Sequence, residues 1–199
     1  MILKYFLPLI FISATLCAKA QITDTVLLNR MGDFDMATLN GDSYGALSLG
    51  ERILADTGKL DQKVRVNFFS KLAKAYDEAD QDNKAIFYYE KVAAAAPDYF
   101  VVQRALGYLY NQTAEDIQLK LYIMPQNDPA YKALFNHYEM AARKSLQHLE
   151  KTEACEPDDD TLDLIKTLYD NINDKAGYAA FTQRIPELSK SCVDLLEDK

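Results

Sequence analysis

The fold is decided by the stretch FSKLAKAYDEADQDNKAIFYYEKVAAAAP, which spans residues 69–97. Apolar residues recur in it at spacings of three and four, so each half presents one apolar stripe if it is helical. The stripe residues are Phe69, Leu72, Tyr76, Ile86, Tyr89, Val92 and Ala93. The polar run at 80–83 is typical of a turn, and Pro97 cannot continue a helix. The stretch therefore predicts two antiparallel packed helices.

Eight positions of this stretch together resemble the tetratricopeptide repeat (TPR). They are Phe69, Leu72, Ala73, Tyr76, Ala85, Tyr89, Val92 and Pro97. The resemblance implies an all-α fold, a right-handed superhelix of antiparallel helical hairpins, with this hairpin as its strongest repeat (66–99). It also implies a noncatalytic scaffold for protein interaction, without a cofactor.

A single such hairpin cannot bury its apolar face, so neighbouring repeats are expected at a period of about 34 residues. The first helix of the next repeat is found at that period, but the matching residues of its second helix lie 26 positions late, because Ser145 stands where the period requires residue 119. The positions that carry the next repeat are Leu106, Gly107, Tyr110, Ser145, Leu149 and Pro157. We therefore predict an elongated repeat at 100–157.

Weaker repeats are predicted on both sides. Downstream, a repeat at 158–189 is indicated by Leu164, Ile165, Leu168, Gly177 and Phe181. Upstream, Ala46, Leu49 and Ile53 fit the second helix of a degenerate repeat. The whole of 21–199 is then one α-helical domain.

The extra residues of the elongated repeat continue both apolar stripes without a break, which favours two longer helices over a loop. About 13 residues added to each helix would carry the hairpin roughly 20 Å beyond its neighbours. The turn is expected between Pro125 and Pro129.

Near that turn lie Tyr122, Ile123 and Met124, three consecutive apolar residues on a helix that can bury only one face. One interpretation is an exposed patch for a partner protein or a lipid surface. The alternative, which we favour at this point, is that the amino-terminal helix around residues 26–34, or a second copy of the chain, covers them.

The resemblance also implies a concave groove lined by the first helix of each repeat. Its contact positions hold Asn67, Lys74, Arg104, Tyr108 and Asn111, which would suit an extended peptide. Ser70 and Lys74 replace the Lys and Asn of the members that clamp a terminal carboxylate, so that mode is not expected. The alternative is a solvated polar face.

The amino terminus predicts export. Lys4 precedes an apolar run too short to span a bilayer, and Ala18-Lys19-Ala20 is typical of a cleavage site, so residues 1–20 are interpreted as a signal peptide. Lipidation at Cys17 is the alternative. Cleavage would leave 20 basic and 30 acidic residues, a formal charge of −10, which disfavours nucleic acid as a partner. We expect a periplasmic or envelope-associated protein with no remaining transmembrane span.

Two cysteines remain after processing, Cys155 and Cys192, and export would permit a bridge between them. Isolated thiols are the alternative. His137 and His148 would lie about 16 Å apart on one helix, too far to share a metal. The acidic cluster at 156–160 is interpreted as helix capping rather than calcium binding.

No motif for nucleophilic or phosphate chemistry is present, so we predict a protein that is not an enzyme. The alternative function is an accessory protein that binds a small molecule or glycan fragment on aromatic rings. The candidate rings are Tyr108, Tyr110, Tyr138 and Tyr169.

Overall fold

A computed structural model describes residues 24–194 and 196, and these residues form eight α-helices. A 3-10 helix, Leu54–Lys59, links the second and third. The helices are α1 (Thr25–Leu39), α2 (Ser43–Ile53), α3 (Gln62–Asp77), α4 (Asp82–Ala95), α5 (Phe100–Ile123), α6 (Tyr131–Cys155), α7 (Asp159–Asn171) and α8 (Lys175–Leu188). The predicted signal peptide and Cys17 lie outside the described residues.

Each helix packs on the next, so that α1–α2, α3–α4, α5–α6 and α7–α8 form four successive hairpins. The predicted all-α fold of antiparallel helical hairpins is confirmed. Ala46 and Ile53 are buried on α2, as expected for the degenerate upstream repeat, and Ile165 and Phe181 are buried in the downstream hairpin.

Aspartate side chains begin most of these helices. The N-cap aspartates, which accept hydrogen bonds from free amides of the first turn, are Asp24, Asp42, Asp61, Asp158 and Asp174. In the acidic cluster, Asp158 accepts from both the backbone amide and the hydroxyl of Thr161, each at 2.9 Å. These hydrogen bonds lower the pKa of Asp158. The cluster therefore caps α7, as predicted.

The closest approach between α5 and α6 is at Gly107. A Cβ atom placed there would lie 2.5 Å from Cδ2 of Leu149, a side chain that is itself fully buried. The hydroxyl of Ser145 donates a hydrogen bond of 2.8 Å to the carbonyl of Gly107. The repeat pattern assigned Gly107, Ser145 and Leu149 to one repeat despite the 26-residue displacement. The structure therefore shows these residues in direct contact.

The lengthening of this hairpin is real but smaller than predicted. Helix α5 has 24 residues against 16 in α3, and α6 has 25 against 14 in α4. At 1.5 Å per residue, the additions are about 12 and 16 Å rather than 20 Å. The estimate was too large because part of the insertion lies in the turn. The turn at residues 124–130 is longer than the turn at residues 78–81 between α3 and α4.

The buried side chains form two clusters that meet along α5. The amino-terminal cluster runs from Leu27 to Tyr110, and the carboxyl-terminal cluster runs from Ala114 to Phe181. Because α5 contributes to both clusters, it connects the two halves of the molecule.

We predict that Gly107→Ala lowers the free energy of unfolding by about 1–3 kcal/mol, because the new methyl group would overlap the buried Leu149 side chain. Chemical denaturation followed by circular dichroism measures this change. The matched control is Gly32→Ala, at an exposed position of α1 where a Cβ meets nothing within 4 Å. Removing a helical glycine there should stabilise the protein by about 0.5–1 kcal/mol. Equal stability of Gly107→Ala and wild type would contradict the close approach.

Candidate functional site

The end of the α5–α6 hairpin carries an exposed apolar surface. Tyr122 is 89% exposed, Ile123 81% and Leu119 69%, while Met124 is half-buried. We call these four residues the tip surface. Helical spacing produces it, because Leu121 takes the one inward position at this level and leaves its neighbours in solvent.

The amino-terminal helix does not cover the tip surface, and that part of our expectation was wrong. Helix α1 instead packs on α2, and its Phe34 ring lies 5.1 Å from the Phe68 ring of α3. Leu27 and Phe34 are fully buried there. The apolar side of α1 is therefore used at the other half of the molecule.

A cavity of about 360 Å³ opens beside the tip surface. Tyr122 and Met124 line its rim, and Phe135 and Tyr138 of α6 also line it. Tyr138 is only 3% exposed, and within the described residues its hydroxyl has no hydrogen-bond partner. Burial raises the pKa of this hydroxyl, an effect that the neighbouring Asn171 amide opposes.

Of the predicted groove residues, Arg104 and Tyr108 lie together. Both line a polar cleft of about 290 Å³ between α5 and the start of α7. The Arg104 guanidinium pairs with Glu156, and the Tyr108 hydroxyl shares a hydrogen bond of 2.9 Å with the hydroxyl of Thr161. Their polar groups are thus engaged within the chain.

The other three groove residues lie elsewhere. Asn111 is only 8% exposed and donates to Glu115 at 2.7 Å, so it does not present its amide to a ligand. Lys74 pairs with Glu78 beside the α1–α2 turn. Asn67 faces the carboxyl-terminal part of the chain, where its amide lies 3.4 Å from the carbonyl of Leu196. The five residues do not form one binding surface.

Sequence reasoning missed the segment that follows α8, residues 189–194 and 196, which we call the tail segment. It crosses back to the α4–α5 turn, where Val193 forms an isolated parallel β-bridge with Tyr99. Cys192 is joined to Cys155 by a disulfide, with 5.6 Å between the two Cα atoms. The only sequence signals for this path were the second cysteine and the apolar residues around it.

A polar cluster lies at the contact between α5 and α6. His148 is 5% exposed, and its Nδ1 shares a hydrogen bond of 2.6 Å with Oε1 of Gln103. The Tyr110 ring stacks on the His148 ring at 5.8 Å, and its hydroxyl donates to Glu90 at 2.6 Å. Burial lowers the pKa of His148, against the opposing effect of Glu90.

A buried carboxylate lies between α6 and α8. Glu150 accepts a hydrogen bond from the Tyr169 hydroxyl and another, at 2.7 Å, from Arg184. Burial raises the pKa of Glu150, while both partners favour its charged form. This group fixes the last hairpin against α6.

The rings proposed for glycan stacking are not presented together. Tyr110, Tyr138 and Tyr169 are each less than 10% exposed, so their faces are occupied by packing. Only Tyr108 is accessible, at 40%. The alternative function therefore finds no ring platform at these positions.

The described residues include no group of three His, Cys, Asp or Glu side chains placed to hold a metal ion. Across the same part of the chain, no helix combines the length and apolarity needed to cross a bilayer.

No family model matches the chain, and no curated protein sequence does. Two crystal structures resemble it, both of nearly identical TPR-like repeats assigned to a kinesin light chain of Podosopora anserina, one in a substituted form. The first has a TM-score of 0.37 and 16% identity, and covers 84% of this chain and 97% of that chain. The second has a TM-score of 0.36 and 16% identity, with coverages of 82% and 94%. Likeness at this level assigns no family and indicates no partner.

The buried His148 predicts a specific pH dependence of stability. Its folded pKa lies below the unfolded value of about 6.5, so the unfolded state binds the proton first as the pH falls. Stability should therefore decrease between pH 7 and 5.5, with a slope of up to about 1.4 kcal/mol per pH unit from this group. In His148→Gln that contribution disappears, and the slope measured by denaturation should be shallower.

The matched control is His137→Gln, since His137 lies on the exposed side of the same helix. It should follow the wild type. Identical slopes for wild type and His148→Gln would show that burial does not lower the pKa of His148 in the folded state.

Proposed function

We propose that this chain is an exported, noncatalytic scaffold that binds a protein partner through the tip surface. The observation that carries the proposal is the exposure of Leu119, Tyr122 and Ile123 on a hairpin longer than its neighbours. Contiguous exposed apolar residues are unusual on a soluble surface and often mark contact sites. The projecting position would let a partner reach them without meeting the adjacent hairpins.

The partner is expected to present an apolar side chain. The apolar side chain would enter the cavity beside Tyr122. Tyrosine at the rim suits this arrangement, because aromatic residues beside a desolvated pocket dominate the energetics of many interfaces.

Export and a protein partner are supported by independent features. The Cys155–Cys192 disulfide is of a kind that persists in oxidising compartments, in keeping with a signal peptide at residues 1–20. The formal charge of −10 expected after cleavage would repel a phosphate backbone, so nucleic acid is not the proposed ligand.

We predict that Tyr122→Ser/Ile123→Ser abolishes capture of a specific partner from an extract of the source cells. Both side chains are exposed, so the double variant should keep the helical content and the melting temperature of the wild type. Affinity capture with quantitative mass spectrometry measures the loss. A fall of at least about tenfold in partner recovery is expected for two interface residues of this kind.

The matched control is Arg104→Ala/Tyr108→Ala, which alters the polar cleft and leaves the tip surface intact. It should retain the partner. If the partner is lost with the cleft variant and kept with the tip variant, the site assignment is wrong.

A further inference from the structure

We infer that the groove beside the α4–α5 turn is a second binding site, for an extended protein segment that carries an aliphatic side chain, and that the chain's own tail segment occupies it. This site is separate from the tip surface, so neither proposal depends on the other. The evidence is the way in which the tail segment is held.

Backbone pairing holds the tail segment at its centre. The amide of Val193 donates to the carbonyl of Asp98 at 2.8 Å, and the amide of Phe100 donates to the carbonyl of Val193 at 3.0 Å. These two bonds make the parallel bridge between Val193 and Tyr99. Main-chain pairing of this kind does not depend on side-chain identity, so another extended segment could form it equally well.

The start of α5 uses this pairing. Tyr99 is its N-cap residue, and no side chain caps the helix there, unlike the five helices that begin with an aspartate. The first amides of a helix have no partner inside it and must find one outside. At Phe100 the partner is the carbonyl of Val193, so a bound segment completes the cap of α5.

A cavity lies beside the end of the tail segment, which forms part of its wall. Leu196 packs against the amino-terminal cluster and lines a cavity of about 420 Å³ together with Val66 of α3 and Ala95 and Ala96 after α4. The carbonyl of Leu196 is 3.4 Å from the Asn67 amide. The lining combines these aliphatic and small side chains with the polar Gln62, Lys63 and Asn67, which suits an extended segment that carries an aliphatic residue.

Two attachments hold the tail segment next to the groove. The first is the Cys155–Cys192 disulfide, four residues before Leu196. The second is Lys151, whose ammonium group donates to the carbonyls of Leu188 and Ser191 and pairs with Asp98 at 3.0 Å. A segment tethered this closely has a high effective concentration at its site, so it competes strongly with any segment in solution.

The test uses a fluorescently labelled synthetic peptide with the sequence of residues 193–199 (VDLLEDK) and the full chain in three forms. The forms are the oxidised wild type, Leu196→Asp and Lys190→Ala. Leu196→Asp should release the tail segment, because a carboxylate loses the apolar contacts that Leu196 makes with the amino-terminal cluster. Lys190→Ala is the matched control, since Lys190 lies in the same segment and pairs with Glu187.

We expect the peptide to bind Leu196→Asp at least about tenfold more tightly than it binds wild type or Lys190→Ala, measured by fluorescence polarisation. A second peptide, with aspartate at the position equivalent to 196, should not bind any form. Equal affinity of the first peptide for wild type and Leu196→Asp, or equal binding of both peptides, would overturn the proposal. Since no tip residue is altered, failure here would leave the tip proposal standing.

Reduction of the disulfide with a dithiol provides an independent test of the proposal. The dithiol converts the Cys155–Cys192 bond to two thiols and is itself oxidised to a disulfide, which removes the covalent tether. Peptide affinity of the wild type should then rise severalfold, while that of Leu196→Asp should not change. An unchanged affinity of reduced wild type with intact helical content would show that the disulfide does not hold the tail segment in the groove.

Discussion

The contact between Gly107 and Leu149 is the constraint on which this structure depends. It brings the backbones of α5 and α6 so close that no Cβ atom fits at residue 107, and the Ser145 hydroxyl joins the two helices at the same level. This contact fixes the register of the two longest helices. Everything beyond it in the direction of the turn at 124–130 projects as one unit, and that unit carries the tip surface.

Helix α5 has a different role at each of its ends. At its amino-terminal end, the amide of Phe100 donates a hydrogen bond to a carbonyl of the tail segment. Its carboxyl-terminal end reaches past the neighbouring hairpins and leaves Tyr122 and Ile123 in solvent. Helix α5 therefore connects the groove that the tail segment occupies with the exposed tip surface. The tip surface is the more direct candidate for partner binding, since nothing in the described part of the chain has to leave it first.

Much of the fold was predictable because it follows from local patterns. The two helices around residues 69–97, the turn after Met124 and the capping role of Asp158 each follow from spacing and residue type over a few turns. The displaced pairing of Gly107 with Ser145 and Leu149 was also predictable, because the repeat pattern supplies a register that can be followed across an insertion. Helical geometry required at least one of Tyr122, Ile123 and Met124 to be exposed unless something covered it, and the favoured expectation that α1 covers them was wrong. Periodicity shows that α1 has an apolar side and not which surface that side meets.

The concave groove that the TPR resemblance implies could not be predicted in the same way. Whether its side chains are available to a ligand depends on their contacts with residues that are distant in the sequence. Glu156 neutralises Arg104, Thr161 binds the Tyr108 hydroxyl, and Asn111 is buried against its own helix. None of these contacts follows from position within a repeat. The pairing of Val193 with the α4–α5 turn uses only backbone groups, which leave no trace in residue type. Such contacts become visible only when the path of the tail segment is known.

The measurement that tests the central claim most directly is site-specific photocrosslinking in living cells. A photoreactive phenylalanine analogue replaces Tyr122 in one strain and Tyr108 in another, since both are accessible tyrosines on α5. If the projecting hairpin is the contact site, irradiation should join a single partner protein to the chain through position 122 and not through position 108. Crosslinks from position 108 alone would contradict the account.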